Sequence, residues 1–276
     1  MQEFDYGAFF RGVPIAPGDT IDVSSDLLSI LLFCRKRKLT FHADCLIDAL
    51  QELVGENGTV MIRAFNWDFC HGVPFDIRNS PSRTGSLGNY AAMRKDFSRT
   101  QHPIYSWWVW GKDKDELCKI TEPSAFAEKG IFGFLYKKCG KLIGIGNMQH
   151  TAMTQIHYAE VTVQVPFRRE KFFSSPYIDE NGRTVNRTYS MHVRPLNIEV
   201  SYETLEGEET QNHMRTLGIR VDHVYQQELL CTTFDLHKAT DFFKEDLLFN
   251  DGKKVVQINR HAGVTASVDL LQYAEY

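Results

Sequence analysis

Apolar residues recur along the chain with two different periods. Between Asp44 and Gly55 they keep the spacing of one helix face, which predicts a helix with a glycine at its left-handed cap. Short apolar runs bounded by turn residues predict strands over 19–23, 59–65 and 141–145. Because helical segments lie between these strands, the pattern predicts an α/β fold with a mixed, partly parallel central sheet and flanking helices.

The segment Ser24-Ser25-Asp26 is typical of a helix start, because these side chains accept hydrogen bonds from free backbone N–H groups. An Asp-Glu-Asn-Gly turn at 179–182 predicts a β-hairpin insertion. The other predicted elements are helices at 87–95, within 125–139 and around 154–160, and strands at 104–110 and 161–167. After about residue 200 the pattern predicts no clear element. Since no repeat or linker is evident, residues 1–276 are predicted to form one domain.

Composition narrows the classes of function. The 276 residues are 43% hydrophobic and 24% charged, with a formal net charge of −4, as in ordinary globular proteins. A basic cluster at 35–38 suits a helix C-terminus rather than a nucleic-acid surface. The acidic N-terminus has no apolar run behind it, and the longest such run, 27–33, is too short to span a membrane. We therefore expect a cytoplasmic protein that binds neither nucleic acid nor membranes.

Six cysteines are spread along the chain without a C-x-x-C pair or a metal-ligand spacing. They are Cys34, Cys45, Cys70, Cys118, Cys139 and Cys231. This distribution indicates free thiols in a reducing compartment, and no metal is expected.

The first candidate for chemistry is the segment from Thr154 to Glu160. Residues three apart on a helix share a face, so Glu160 can lie beside His157, with Thr154 one turn earlier. Histidine accepts protons near neutral pH, and a neighbouring carboxylate fixes its tautomer and stabilises the imidazolium. Acylation of an amine needs such a pair, because an ammonium ion must lose a proton before its nitrogen attacks a thioester. A surface His–Glu pair of small stabilising effect explains the same spacing.

Two further segments have both a functional and a structural explanation. His102-Pro103 leads into the aromatic run 107–110, which either covers a ligand or packs in the core. The run Gly144-Ile145-Gly146 lacks the third glycine of a dinucleotide fingerprint. Gly146 at a strand end would nevertheless let a ligand approach the backbone closely.

Taken together, these segments resemble the aminoglycoside 3-N-acetyltransferase family in order and spacing over residues 22–195. The motifs that carry the resemblance are Val23-Ser24-Ser25, residues 58–62, 65–70, 75–82 and 85–87, His102-Pro103-x-x-Ser106, residues 140–146, Thr154-x-x-His157-x-Ala159-Glu160 and Val165-Pro166-Phe167-Arg168.

The resemblance implies direct transfer from acetyl-CoA, with His157 as general base, Glu160 as its orienting partner and Thr154 at the thioester end. Ser24 and Ser25 would meet the CoA phosphates at a helix N-terminus. The other residues expected around CoA are His102, Ser106 and Gly146. Asp68 and Asp76 fall where a family member would contact the amine or hydroxyls of its substrate.

The chain also departs from the family pattern. Large residues at 107–110 replace smaller ones, and the segment 147–150 is divergent. The chain is only mildly acidic, and five arginines flank the motif-bearing loops: Arg63, Arg78, Arg83, Arg94 and Arg99. Because arginine suits phosphate, we hypothesise an amino-sugar acceptor, with a nucleotide-linked sugar as one candidate and Arg78 among its ligands. Solvated surface arginines explain the same pattern.

Three alternatives remain open. The first is a drug-modifying aminoglycoside 3-N-acetyltransferase, and the second is a non-catalytic relative that binds a ligand. Retention of His157 with Glu160 argues against a pure binder. The third is a hydrolase with Cys70 as nucleophile, near Asp68 and His71. The acceptor amine, the size of the acyl group and the oligomeric state are left open.

Overall fold

The structure is a computed structural model that describes residues 2–146, 153–196 and 198–260. The strands are β1 (Gln2–Glu3), β2 (Thr20–Ser25), β3 (Leu39–Thr40), β4 (Thr59–Arg63), β5 (Phe75–Asp76), β6 (Ser98–Arg99), β7 (Trp107–Gly111), β8 (Lys141–Ile145), β9 (Arg169–Ile178), β10 (Thr184–Val193), β11 (Ile198–Ser201), β12 (Arg220–Tyr225), β13 (Leu229–Asp235) and β14 (Gln257–Arg260). The helices are α1 (Tyr6–Phe10), α2 (Leu27–Arg37), α3 (Ala43–Val54), α4 (Leu87–Ala91), α5 (Lys114–Cys118), α6 (Ile131–Lys137), α7 (Ile156–Thr162), α8 (Glu203–Glu206), α9 (Glu208–Thr216) and α10 (Leu236–Phe249).

The main sheet has seven strands in the order β12-β13-β8-β2-β4-β7-β6. Strands β8, β2 and β4 are parallel, and antiparallel strands extend the sheet on both sides. This arrangement confirms the predicted mixed, partly parallel sheet. The strand predicted at 141–145 and the helix predicted after Asp44 are also confirmed.

Alternating side chains of the central strands feed two cores on opposite faces of the sheet. On β4, Met61 packs with the core that contains α6, α7 and α10, while Val60 and Ile62 pack with the core that contains α2 and α3. Trp107 and Trp108 on β7 divide in the same way. The period-2 alternation of a strand explains this division, and the aromatic run is therefore mainly core.

The start of α2 differs from the prediction. Ser24 and Ser25 are the last residues of β2, and Asp26 is the N-cap, accepting hydrogen bonds from the N–H groups of Leu28 and Ser29. All three residues are good caps, so local preference alone does not choose among them. Parallel pairing of Ser24 and Ser25 with β8 extends the strand and moves the helix start to Asp26.

The hairpin is confirmed and the strand predicted at 161–167 is wrong. Helix α7 continues to Thr162, and the first hairpin strand begins only at Arg169. The turn is closed by Asp179, whose side chain accepts hydrogen bonds from the N–H groups of Asn181 and Arg183. The apolar residues at 161–167 belong to the end of α7 and to the loop that follows it. A short apolar run alone does not distinguish these from a strand.

Three predicted elements are shorter or shifted. The helix at 87–95 ends at Ala91, the strand at 104–110 becomes β7, and the helix within 125–139 is α6. Beyond residue 200, where no element was predicted, α10 packs against α6 and α7. Within the described ranges, no helix is both long and apolar enough to cross a membrane.

Candidate active site

His157 and Glu160 form a hydrogen-bonded pair on α7. The Nδ1 atom of His157 lies 2.7 Å from Oε2 of Glu160, in the i, i+3 relation that the sequence predicts. Glu160 is completely buried, whereas the side chain of His157 is about one-fifth exposed, at 20%. A carboxylate behind the ring and solvent in front of it is the arrangement that a general base requires.

Two residues that were not predicted as site residues complete the surroundings of Glu160. The Nε atom of Arg168 lies 2.7 Å from Oε2 of Glu160, an ion pair whose N–H direction is poorly aligned for a hydrogen bond. Tyr202 donates a hydrogen bond of 2.6 Å to Oε1. Arg168 closes one of the recognised motifs, but no comparable signal marks Tyr202.

The charges of this cluster favour an ionised Glu160. Burial alone raises the pKa of its carboxyl, but hydrogen bonding and charge from His157, the charge of Arg168 and the Tyr202 hydroxyl outweigh burial and lower it. The reverse balance holds the pKa of Arg168 above its ordinary value, since Glu160 outweighs the effect of burial. Glu160 is therefore an anion at neutral pH and can stabilise an imidazolium.

The described hydrogen bonds of the His157 ring are made through Nδ1. Phe126 packs against the ring in an edge-to-face contact with centroids 5.4 Å apart. No described residue hydrogen-bonds to Nε2. Thr154 lies in the turn before α7, where its carbonyl accepts a hydrogen bond from the N–H of His157. The predicted segment 154–160 is thus brought together, although Thr154 precedes the helix.

A cavity of about 470 Å³ lies next to α7, and its lining includes Arg168, the partner of Glu160, but not His157. Val161, one helical turn after His157, lines it together with Arg168 and His192. Burial lowers the pKa of His192 to about 4, so that side chain is neutral at pH 7. Glu122 and Glu170 also line the cavity and bring carboxylates that can receive an ammonium group.

Ser24, Ser25 and Gly146 lie together at the carboxyl ends of β2 and β8. Ligands of open α/β sheets bind at this edge. Gly146 has a φ of +92°, and a Cβ there would lie 2.6 Å from the carbonyl oxygen of Asp26, so the position requires glycine. Because Asp26 already caps α2, the predicted phosphate site at the helix start is partly occupied by a protein side chain.

His102 and Ser106 are buried and use their polar atoms inside the protein. Nδ1 of His102 accepts hydrogen bonds from the N–H groups of Ile104 and Tyr105, and burial lowers its pKa to about 3. Ser106 donates to the carbonyl of Ala64. Contact of these two side chains with CoA stays a prediction, and their observed contacts hold the loop at the edge of the sheet.

The structure separates the predicted substrate residues. A series of ring contacts links the neighbour of Asp68 to the His157 site. Trp67 packs on Tyr105, Tyr105 packs on Phe126, and Phe126 packs on His157. Asp76 pairs with Ile178, at the opposite end of β9 from Arg169. At about 3.3 Å per residue, the ten residues of β9 span roughly 30 Å.

Asp76 and Arg78 are each other's partners. Two guanidinium nitrogens of Arg78 contact the two carboxylate oxygens of Asp76 at 2.9 and 3.0 Å, and the pKa of Asp76 falls to about 2, with Arg78 hydrogen bonding as the largest cause. A substrate role for them at the His157 site would need to span the length of the hairpin.

The flanking arginines are mostly neutralised by acidic partners. Arg63 pairs with Asp22, Arg83 with Asp68 and Arg94 with Asp48 and Asp96. Arg99 instead contacts the carbonyls of Ser80 and Ala64 and the hydroxyl of Ser106. These contacts explain the arginines without a phosphate ligand.

The cysteine-hydrolase alternative finds no assembled site. The Cys70 sulfur lies 3.4 Å from that of Met191, and burial raises its pKa to about 11. His71 contacts the carbonyl of Trp67 instead, and Asp68 contacts Arg83. A protonated thiol without a base is a poor nucleophile.

In the part of the chain that the structure describes, no group of three or more His, Cys, Asp and Glu side chains is placed to hold a metal ion. The divergent segment 147–150 lies outside the described residues.

The chain is similar to known proteins over most of its length. A family model described as aminoglycoside 3-N-acetyltransferase matches residues 25–247. One relative is the SPbeta prophage-derived aminoglycoside N(3')-acetyltransferase-like protein YokD of Bacillus subtilis (strain 168), 22% identical over 269 residues that cover 89% of this chain and 92% of that protein.

Two solved structures share the fold. AAC-IIIb in a binary complex with CoASH has a TM-score of 0.71 and 20% identity, over 88% of this chain and 94% of that one. AAC-VIa bound to sisomicin has a TM-score of 0.71 and 18% identity, over 90% and 99%. The chain therefore belongs to the aminoglycoside 3-N-acetyltransferase family as a divergent member, and it is an N-acetyltransferase whose donor is acetyl-CoA.

Proposed function

We propose that this protein transfers the acetyl group of acetyl-CoA to a primary amine of an amino sugar, with His157 as general base. The observation that carries the proposal is the 2.7 Å contact between the partly exposed imidazole and the buried carboxylate of Glu160. With Nδ1–H donated to Glu160, Nε2 keeps its lone pair and can accept a proton from the amine.

The reaction then follows from ordinary acyl-transfer chemistry. His157 takes a proton from the ammonium group, the amine nitrogen attacks the thioester carbon, and a tetrahedral intermediate forms. As the intermediate collapses, the new carbon–nitrogen bond stays and the carbon–sulfur bond breaks. The nitrogen loses its second proton, which the CoA thiolate takes up, and the imidazolium of His157 releases the first proton to solvent. Glu160 stabilises the imidazolium that forms on the way.

The two substrates would approach from different sides of His157. The carboxyl ends of β2 and β8, with Ser24, Ser25 and Gly146, are the place proposed for CoA. The cavity beside α7 is the place proposed for the acceptor, because Glu122 and Glu170 can bind an ammonium group there. Thr154, in the turn before α7, is proposed at the thioester end.

Two classes of compound are candidates for the acceptor of the acetyl group. A nucleotide-linked sugar is one candidate, but the ion pairs made by Arg63, Arg78, Arg83 and Arg94 leave little support for phosphate binding by them. An aminoglycoside is the second candidate, favoured by the sisomicin complex of the similar AAC-VIa.

Acetyl-transfer assays with a panel of amine substrates test both acceptor candidates. The protein is incubated with acetyl-CoA and with simple amino sugars, nucleotide-linked amino sugars or aminoglycosides, and free thiol is followed. We expect amine-dependent thiol release that the His157→Ala variant loses. Turnover of aminoglycosides alone would exclude the simple and nucleotide-linked sugars. Thiol release that needs no amine, or that the variant retains, would contradict the proposal.

A further inference from the structure

Tyr202 stands in an unusual position for a residue outside the recognised motifs. It lies between β11 and α8, and its hydroxyl donates a hydrogen bond of 2.6 Å to Oε1 of Glu160. The same hydroxyl is 3.5 Å from Nδ1 of His157, so its proton is directed to the carboxylate. The hydroxyl also accepts a hydrogen bond from Arg168.

Arg168 closes a ring of contacts around the carboxylate. Its Nε lies 2.7 Å from Oε2 of Glu160, and its Nη1 donates to the carbonyl of His192 on β10 at 3.1 Å. Glu160 is thus held from its own helix by His157, from the loop before β9 by Arg168 and from the β11–α8 junction by Tyr202. Rotation of the carboxylate would break at least two of these contacts.

We propose that Tyr202, together with Arg168, is a positioning residue for acetyl transfer: it fixes the carboxylate of Glu160 so that Oε2 stays on Nδ1 of His157 and Nε2 stays free to take the proton. The inference rests on the proposed function. It extends that function to a residue 42 positions away in sequence, in a part of the chain where the family motifs end.

The charges around Glu160 give the inference a pH signature. The groups that face it are His157 on α7, Arg168, Tyr202 and His192 on β10, with Glu170 beside His192. Burial, reinforced by the charge of Glu160, raises the pKa of Tyr202, so the hydroxyl remains a donor at working pH. Loss of this donor removes a hydrogen bond that stabilises the carboxylate, so Glu160 interacts more strongly with the imidazolium form of His157.

The test uses Tyr202→Phe, which removes only the hydroxyl. Tyr158→Phe is the matched control. Tyr158 is a buried tyrosine of α7, the helix that carries His157 and Glu160, and its ring packs on Tyr136. We expect Tyr202→Phe to lower kcat about 10–100-fold, with the KM for acetyl-CoA within about twofold of wild type. The acidic limb of the pH profile should move to higher pH. Tyr158→Phe should behave as wild type.

A second readout does not need turnover. The imidazole of His157 is titrated by NMR in the free enzyme, with Tyr202→Phe expected to titrate at higher pH than wild type. An unchanged titration and an unchanged kcat would overturn the role of Tyr202 while His157→Ala remains inactive. Should His157→Ala stay active, the proposed base is wrong, and the titration alone decides whether Tyr202 acts on His157.

If Tyr202→Phe does not fold, Arg168→Lys replaces it. Lysine keeps the charge but cannot contact Glu160 and Tyr202 through two arms. The same upward shift of the His157 titration supports the inference, and its absence contradicts it.

Discussion

Two arginine–carboxylate pairs lie at opposite ends of the β9–β10 hairpin, and they differ in burial. Arg168 contacts Glu160 where β9 begins, and their side chains are 9% and 0% exposed. Arg78 contacts Asp76 near the hairpin turn, where the guanidinium is 44% exposed. The contact distances are similar, at 2.7 and 2.9 Å. The difference in burial, rather than the ion pair itself, distinguishes the two ends of the hairpin.

Burial changes what a carboxylate can do. Water solvates the Asp76–Arg78 pair, so the pair contributes little to stability or to orientation. Glu160 is fully buried and must keep its protein partners, because an uncompensated buried charge is costly. That requirement holds the carboxylate in one orientation behind His157.

The largest expected effect is on the chemistry at the buried end. His157→Ala should lower kcat by about 10²–10⁴-fold, the usual effect of losing a general base. The measurement is thiol release at saturating acetyl-CoA and amine. Cys70→Ala is the control for the hydrolase alternative and should stay within about twofold of wild type, because the thiol is protonated and has no base beside it.

The second effect is on stability. Arg168→Met leaves Glu160 buried without its permanently charged partner, and loss of one member of such a pair costs about 3 kcal/mol or more. For a protein of this size, that corresponds to a fall of roughly 6–12 °C in the thermal midpoint. Calorimetry measures it. A midpoint within about 2 °C of wild type would show that the pair is not compensating a buried charge.

The third effect is a loss of folding stability at acidic pH. The pKa of Glu160 is lower in the folded protein than its ordinary value of 4.5, so the carboxylate stabilises the fold above that pH. This contribution is lost as the pH falls from about 4.5 through the lowered pKa. Glu160→Gln does not titrate, so the stability difference between it and wild type should shrink on acidification from pH 6 to 3. Urea unfolding at several pH values measures this difference, and a constant difference would contradict the assignment.

The smallest effect is expected at the exposed end. Arg78→Met is the matched partner of Arg168→Met, but solvent replaces its contacts with Asp76. The thermal midpoint should move by less than about 2 °C, and acetyl transfer should be unchanged. A loss of activity without a loss of stability would instead place Arg78 in substrate binding.

The sequence predicted the elements and pairs that depend on local spacing. The helix after Asp44 and the strand at 141–145 follow from periodicity, and the His157–Glu160 pair follows from the i, i+3 relation on a helix. Local spacing does not decide between Ser24, Ser25 and Asp26 as the cap, because strand pairing with β8 makes that choice. Local spacing also predicts a strand for the apolar run 161–167, which the structure shows to be the end of α7 and a loop.

The contacts that complete the site are long-range. Tyr202 reaches Glu160 from 42 residues away, and Phe126 reaches His157 from the loop before α6. Arg168 was within a recognised motif, yet only the fold shows which carboxylate it faces. Only the register of β5 with β9 shows that Asp76 and Arg78 lie near the hairpin turn, and their contact with a substrate stays a prediction.

In the proposed mechanism, His157, held by the buried Glu160, is the base that accepts the proton of the amine. The most direct measurement compares the acidic limb of the kcat/KM profile with the NMR titration of the His157 imidazole in the free enzyme. We expect both to have the same midpoint and to move together in Glu160→Gln. An acidic limb that stays in place when the imidazole titration shifts would contradict it.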